Sequence, residues 1–209
     1  TIVDSFDSAT AGWLLANLPH VESSGKNNVT VFMTVPKTAQ EARPIGLHEV
    51  YILAVQAGVH DYLAKVLKKH CNIDLANAQE KHRAYAEYYS VESDFCTMDQ
   101  SNASQNILRA HCQYLLPEEF FSFVDKICPR VIVIDGIEYH HEMMMAQGNG
   151  ITSALQTLIF YALIQACAWK KGISTEVLAF GDDTIFRSEL FSTVDQVFTA
   201  IGFEVNKEK

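Results

Sequence analysis

What this sequence lacks narrows its class. Its 209 residues include no apolar run approaching the ~20 residues of a membrane-spanning helix. The opening, Thr1-Ile2-Val3-Asp4, has neither the basic segment nor the apolar stretch of a secretory leader. It also lacks an initiator Met. The last residues, Asn206-Lys207-Glu208-Lys209, follow directly on a strand-like run, so the chain reads as a piece of something longer. The five cysteines (Cys71, Cys96, Cys112, Cys128, Cys167) are odd in number, and no pair has zinc-ligand spacing. They read as the reduced thiols of a cytosolic protein. Repeats and low-complexity tracts are absent. So is a basic excess: 16 Lys and Arg stand against 25 Asp and Glu, a formal charge of -9. Alone, that balance argues against nucleic-acid binding. Local clusters soften the objection: Lys65, Lys68, Lys69 and His70; Lys81-His82-Arg83; Lys170-Lys171; and Lys37 and Arg43 near the start.

What is present is enough apolar material, 48% of residues, for a sizeable core in one or two domains. Val29 to Val35 alternates as a strand does, Pro36 ends it, and Pro44-Ile45-Gly46 reads as a break. Apolar residues recur at helical spacing from about Glu49 to Cys71, and Ala76 to Tyr88 is rich in helix formers. Phe95 to Met98 is a short strand ending at Asp99. Ser101 or Asn102 is read as the cap of a following helix, with Ile107, Leu108, His111, Leu115 and Leu116 on its inner face. Pro117-Glu118-Glu119 opens another helix. Asp135-Gly136 between two apolar runs signals a hairpin. Thr152 to Trp169 is apolar enough to be a buried helix. Leu190 to Ile201 is amphipathic and is stopped by Gly202 before a final strand at Phe203 to Val205.

The chemistry concentrates at Gly181-Asp182-Asp183, set between Val177-Leu178-Ala179-Phe180 and Thr184-Ile185-Phe186. This reads as strand, tight turn, strand. Adjacent carboxylates with no neighbouring cation are poorly placed for folding and well placed to hold divalent metal. Phosphoryl transfer from a nucleoside triphosphate uses two such ions about 4 Å apart, and hard ions of the magnesium type take oxygen ligands. Asp99 and Asp182 can supply these if their strands pair in one sheet, with Asp183 as a second or outer ligand. The competing structural reading makes Asp99 a helix cap or a surface turn acid. Upstream, Gln147-Gly148-Asn149-Gly150 places small residues where a backbone must lie close to a nucleotide or template. Thr152 and Gln156 follow one helical turn apart on a shared face, able to hydrogen-bond a ribose hydroxyl or a group that reads it.

Taken in order, Asp99, the Gly148 to Gln156 stretch and Gly181-Asp182-Asp183 are similar to motifs A, B and C of the palm of viral RNA-dependent RNA polymerases. Val35-Pro36-Lys37, Leu115-Leu116-Pro117, Asp135-Gly136, Leu158-Ile159-Phe160 and the run from Val197-Phe198 through Gly202-Phe203 to Asn206 narrow the match. Together they resemble the replicase catalytic (beta) subunit of leviviruses, the positive-strand RNA bacteriophages, from about Val35 to Lys209. The resemblance implies an α+β fold: a palm built as an RRM-like antiparallel sheet with packed helices, plus partial fingers. It places a fingers-like region with motif F at 1–93 and a palm with motifs A to D at 94–209, with no thumb. It implies an RNA-directed RNA polymerase that uses two Mg2+ or Mn2+ ions held by Asp99, Asp182 and Asp183. Lys37 and Arg43 would meet the incoming triphosphate. Gly148, Asn149, Thr152 and Gln156 would serve motif B and ribose selection. Lys207 or Lys209 in motif D would protonate the departing pyrophosphate. It further implies RNA template and product, ribonucleoside triphosphates, host elongation factors Tu and Ts and a ribosomal protein as partners, in the cytoplasm of the bacterial host and with no membrane.

One departure stands out. Motif A in that family usually carries a second Asp, which senses the ribose 2′-hydroxyl. Here Asp99-Gln100-Ser101-Asn102-Ala103-Ser104-Gln105-Asn106 has none, and Gln105 is read as its counterpart. His140-His141-Glu142 resembles a metal cluster by composition, but adjacent strand residues face opposite ways, so both histidines are read as surface or packing residues. Met143-Met144-Met145 reads as core filler. Tyr85, Tyr88 and Tyr89 read as packing residues, with base stacking as the alternative. Two rival functions stay open: a reverse transcriptase, and an inactive palm fragment that only binds RNA. The small or polar side chains from Ser101 to Asn106 favour ribonucleotides over the first.

Overall fold

The structure is a computed structural model that describes residues 29–36, 42–89 and 94–206. Lys37, Lys207 and Lys209 lie outside the described residues. The fold is α+β, and the chain divides into two compact units: Thr1–Ala57 with Leu108–Gly150, and Gly58–Ile107 with Ile151–Lys209. These units are a different division from the fingers-to-palm boundary expected near residue 93.

The first unit carries strands β1 (Val29–Pro36), β2 (Ala42–Leu47), β5 (Val131–Ile134) and β6 (Ile137–His140), in the order β2-β1-β5-β6. β1 and β5 run parallel, and the other pairs are antiparallel. The β5–β6 hairpin closes as the sequence predicts. Asp135 and Gly136 both take positive φ, 52° and 80°, which a two-residue type I′ turn requires. Pro44-Ile45-Gly46 is not a break but the middle of β2, with Thr34 opposite Pro44 and Phe32 opposite Gly46. β2 is an edge strand, where proline's missing N–H costs no ladder bond. Two short helices follow the chain's return to this unit, α3 (Arg109–Leu115) and α4 (Glu118–Ile127).

α3 corrects the sequence reading. It starts at Arg109, not after a cap at Ser101 or Asn102. Asn102 instead takes φ 51° in a turn, accepting the backbone N–H groups of Gln105 and Asn106. The inner face is Arg109 and Cys112, while Leu108 and Leu115 are exposed. A buried arginine is tolerable here because its partners come from distant sequence. One guanidinium nitrogen donates to Asp125 and the other to the carbonyls of Cys128 and Pro129, at 2.9 and 2.7 Å. Arg130 closes the cluster from outside, donating to Asp125 at 2.6 Å.

The second unit carries α2 (Ala78–Tyr89), β3 (Phe95–Met98), β4 (Gln100–Ser101), α5 (Thr152–Lys171), β7 (Leu178–Phe180), β8 (Asp183–Arg187), α6 (Phe191–Ala200) and β9 (Glu204–Val205). The boundary between the units falls inside α1 (Val50–Cys71). β3-β8-β7 form an antiparallel sheet, and β4 pairs with β9. α5 is buried over much of its length, as its composition predicts, and Gly172 caps it in the left-handed conformation. Phe160 on α5, Phe198 on α6 and Phe203 before β9 pack with ring centroids 5.1–5.7 Å apart. Each fully buried phenylalanine contributes about 1.5–3 kcal/mol, so this trio fixes α6 and the final strand to α5. A second cluster, Leu67, Ile73 and Ala179 with Leu158 and Tyr161 against it, joins α1, α5 and β7.

Candidate active site

The acidic residues stand where two antiparallel pairings end. β7 and β8 are joined by Gly181 and Asp182 alone, with Phe180 paired to Asp183. Gly181 takes φ 62°, as glycine at the first central position of a type II′ turn does. The turn is held from behind. The Gly181 N–H donates to Thr157 Oγ1 on α5 at 2.8 Å, and the Thr157 hydroxyl donates to the Ser153 carbonyl at 2.6 Å. On the other side of β8, Met98 is paired with Thr184, whose hydroxyl donates to the Met98 carbonyl at 3.0 Å. Continuing that register by one residue sets Asp99 opposite Asp183, and directly opposed residues project from the same face. Asn206, just after β9, grips Asp99 twice: its backbone N–H donates to the Asp99 carbonyl at 2.9 Å and its amide to Oδ2 at 3.1 Å.

Asp99 and Asp183 both line a cleft of about 1100 Å³. Asp182 is half-buried in the adjoining turn and is not among the residues lining that cleft. The opposite wall is α2, through Gln79, His82, Arg83 and Glu87. Burial holds the His82 imidazole below its ordinary pKa, with Asp183 pulling it back up and Lys81 pushing it down. Its ring meets Phe180 edge-on at 6.4 Å, and its Nε2 is buried with no hydrogen-bond partner among the described residues. Packing fastens α2 in place: Tyr89 stacks on Phe95 at 4.1 Å, while Lys81 and Tyr85 both reach Glu176. Tyr85 and Tyr89 are therefore packing residues, as the sequence suggests, and Tyr88 is exposed.

The Gly-rich turn has a structural explanation of its own. Gly148 takes φ 100°, and a Cβ there would lie 2.5 Å from the Gly46 carbonyl oxygen on β2. The Gly46 N–H in turn donates to the Gln147 carbonyl at 2.6 Å. Fully buried Gln56 bridges the same region, donating to the Ile127 carbonyl at 2.8 Å and accepting from the Gly150 N–H at 2.9 Å. Asn149 donates to Cys128 Sγ. The close backbone approach that the glycines imply is thus made by the protein's own strand.

The remaining expected site residues are divided between the two units. Gly148 and Asn149 belong to the first unit, as does Arg43, exposed on β2 opposite Val35. In the second unit, Thr152 is half-buried, Gln156 is buried on α5, and Gln105 is half-buried in the turn after β4. His140 is exposed at the end of β6. Among the described residues no group of three His, Cys, Asp or Glu side chains is arranged to hold a metal ion. All five cysteines are free, and burial pushes the thiols of Cys96 up to about 11 and of Cys112 and Cys128 up to about 12. Such thiols are not nucleophiles at neutral pH.

Among known proteins, the model of the family described as "RNA replicase, beta-chain" matches residues 15–209. The chain belongs to the RNA replicase beta-chain family. It is 33% identical over 180 residues to the RNA-directed RNA polymerase subunit beta of Escherichia virus Qbeta, covering 85% of this chain and 30% of that one. It is 31% identical over 176 residues to the RNA-directed RNA polymerase beta chain of Escherichia phage MS2, covering 84% and 32%. The chain thus spans about a third of the length of these replicase relatives. In fold it is similar to the RNA-dependent RNA polymerase of a human picorbirnavirus, with a TM-score of 0.65 at 15% identity over 87% of this chain and 41% of that one. A weaker likeness links it to telomerase from Candida albicans, with a TM-score of 0.52 at 11% identity over 96% and 46%. A palm-type fold shared with viral RNA polymerases is what the replicase resemblance implies.

The sequence reading missed three groups at this replicase-family site. Thr157 lies next to Gln156 and carried no signal beyond its helical register. Asn206 was noted only within a longer run. The α2 wall was read as an isolated basic cluster, because nothing local shows that Lys81-His82-Arg83 reaches the strand end at Asp99.

Proposed function

We propose that this chain is the catalytic core of an RNA-directed RNA polymerase, joining an RNA 3′-hydroxyl to the α-phosphate of a ribonucleoside triphosphate with release of pyrophosphate. The observation that carries the reading is that Asp99 and Asp183 line the same nucleotide-sized cleft, just past the Met98–Thr184 pair that ends the β3–β8 ladder, in a chain that belongs to the replicase family. The donor chemistry suits divalent metal of the magnesium type: two carboxylates, Asp99 and Asp183, share the cleft as hard oxygen ligands, with Asp182 in the adjoining turn. When bound, two such ions would lower the pKa of the attacking hydroxyl and neutralise charge on the leaving pyrophosphate.

The chain's own residues do the rest. Asp99, Asp183 and Asp182 would hold the ions. Asn206 fixes the Asp99 carboxylate so that it needs no reorganisation. Thr157 fixes the turn that presents Asp182 and Asp183. Gln105, Thr152 and Gln156, with Gly148 and Asn149, form the motif B and ribose-reading set. Lys37 and Arg43 meet the triphosphate, and Lys207 or Lys209 supplies the proton to pyrophosphate. Residues 1–93 serve as partial fingers and 94–209 as palm. The whole replicase would work with RNA, host factors Tu and Ts and a ribosomal protein in the bacterial cytoplasm.

Primer extension on an RNA template, with ribo- or deoxyribonucleotides, tests this. Extension with ribonucleotides that is abolished in Asp183→Ala supports it. Preference for deoxyribonucleotides, or extension untouched by Asp183→Ala, overturns it. RNA binding without extension assigns the chain to the RNA-binding reading instead.

A further inference from the structure

Among the described residues lining the cleft one side chain is permanently cationic, and no described residue pairs with it. Of the residues lining it, Glu80, Glu87, Asp99 and Asp183 are acidic, and Arg83 on α2 is the single Lys or Arg. Arg83 is exposed and has no hydrogen bond or ion pair with any described residue. Lys68, Lys81, Arg109, Arg130 and Arg187 each hold a carboxylate at contact distance; Arg83, like Arg43, Lys65, Lys69, Lys170 and Lys171, holds none among the described residues. What sets Arg83 apart is its place: it is the one Lys or Arg among the described residues lining the cleft that Asp99 and Asp183 share.

Its mounting is rigid. The residue before it, His82, packs on Phe180 at the hairpin, and Lys81 and Tyr85 are tied to Glu176. Tyr89, at the end of the helix, stacks on Phe95 of β3. α2 is therefore anchored both to the strand that ends at Asp99 and to the strand that leads to Gly181. A cation presented from such a wall loses little entropy when it is engaged. A planar guanidinium also matches phosphate oxygens through paired N–H groups.

Resting on the polymerase reading, we propose that Arg83 holds the β- and γ-phosphates of the incoming ribonucleoside triphosphate against the Asp99–Asp183 edge of the cleft. A triphosphate entering between acidic walls needs countercharge beyond the ions its own oxygens bring, and Arg83 is the side chain that provides it from the facing wall. A nucleotide is favoured over an RNA strand on two counts. The cleft volume suits one small ligand. A strand is tracked by a run of positive charge, and Arg83 is the single Lys or Arg among the described residues lining this cleft.

The test measures binding of ATP with Mn2+ by calorimetry, using the intact 209-residue chain, Arg83→Ala and Arg83→Gln, with AMP and a short single-stranded RNA as the other arms. Loss of a charge-assisted contact predicts ATP binding weakened roughly 10- to 100-fold in both variants, with AMP and RNA binding and the thermal midpoint unchanged. Unchanged ATP binding in both variants, when Asp183→Ala loses it, overturns the Arg83 assignment and leaves the polymerase reading standing. Weakened RNA binding with unchanged ATP binding also overturns it, making Arg83 an RNA contact. Absence of ATP binding by the parent chain overturns both.

Discussion

The two compact units treat polar groups in opposite ways. In the first, buried polar side chains are spent on the fold. Arg109 is held by Asp125 and two carbonyls, Gln56 joins Ile127 to Gly150, and the glycines of the 148–150 turn make room for β2. In the second, the apolar core is built from Phe160, Phe198 and Phe203, and polar groups gather at the lip of a cleft: Asp99, Asp183, His82 and Arg83. The lesson is that a glycine or a charge in a motif is not functional by composition. It becomes a candidate when the fold turns it towards open volume.

Substitutions in the two units should therefore fail differently. The largest structural effect belongs to Arg109→Ala in the first unit. It leaves two carbonyls without their donor and the Asp125 carboxylate with Arg130 alone, and should cost about 3–5 kcal/mol in a urea unfolding experiment. A loss below about 1 kcal/mol would show that the cluster is dispensable.

Next comes pH. Burial, reinforced by His141, lowers the His48 pKa from 6.5 to about 4. The neutral ring is favoured in the folded state, so its stability contribution is full above pH 6.5 and is lost as pH falls towards 4. The expected loss across that window is on the order of 2–3 kcal/mol. His48→Gln should flatten the dependence there, and an unchanged pH profile would remove His48 as its source.

Gly148→Ala should destabilise by about 1–3 kcal/mol, because the residue needs positive φ and would press on the Gly46 carbonyl. If Gly148→Ala leaves the unfolding midpoint intact but impairs activity, the glycine serves a ligand, and the contrast between the units weakens.

How much of this was legible depends on how local each signal was. The β7–β8 and β5–β6 hairpins were readable because their turns demand specific residues, Gly181-Asp182 and Asp135-Gly136, between apolar runs. α1, α2 and α5 were readable from periodicity and composition. β2 was not: Pro44 and Gly46 are breakers in isolation, and only pairing with β1 makes them a strand. The start of α3 was misread because a buried arginine looks like a surface residue until Asp125, Cys128 and Pro129 are placed around it. At the site, Asp99 and the acidic hairpin were found through their order in the chain. Thr157 and Asn206 act through contacts 24 and 107 residues away in sequence, and His82 on the α2 wall meets Phe180, which no local window contains.

The central claim, that Asp99 and Asp183 together hold divalent metal, is tested most directly by manganese titration of the parent chain and of Asp99→Ala and Asp183→Ala, with unfolding midpoints measured in parallel. The account expects manganese binding in the parent chain and its loss in each variant, with stability unchanged in Asp183→Ala and lowered in Asp99→Ala only by the lost Asn206 hydrogen bond, about 0.5–1.5 kcal/mol. Equal manganese binding by the Asp99→Ala/Asp183→Ala double variant, or none by the folded parent chain, would contradict it.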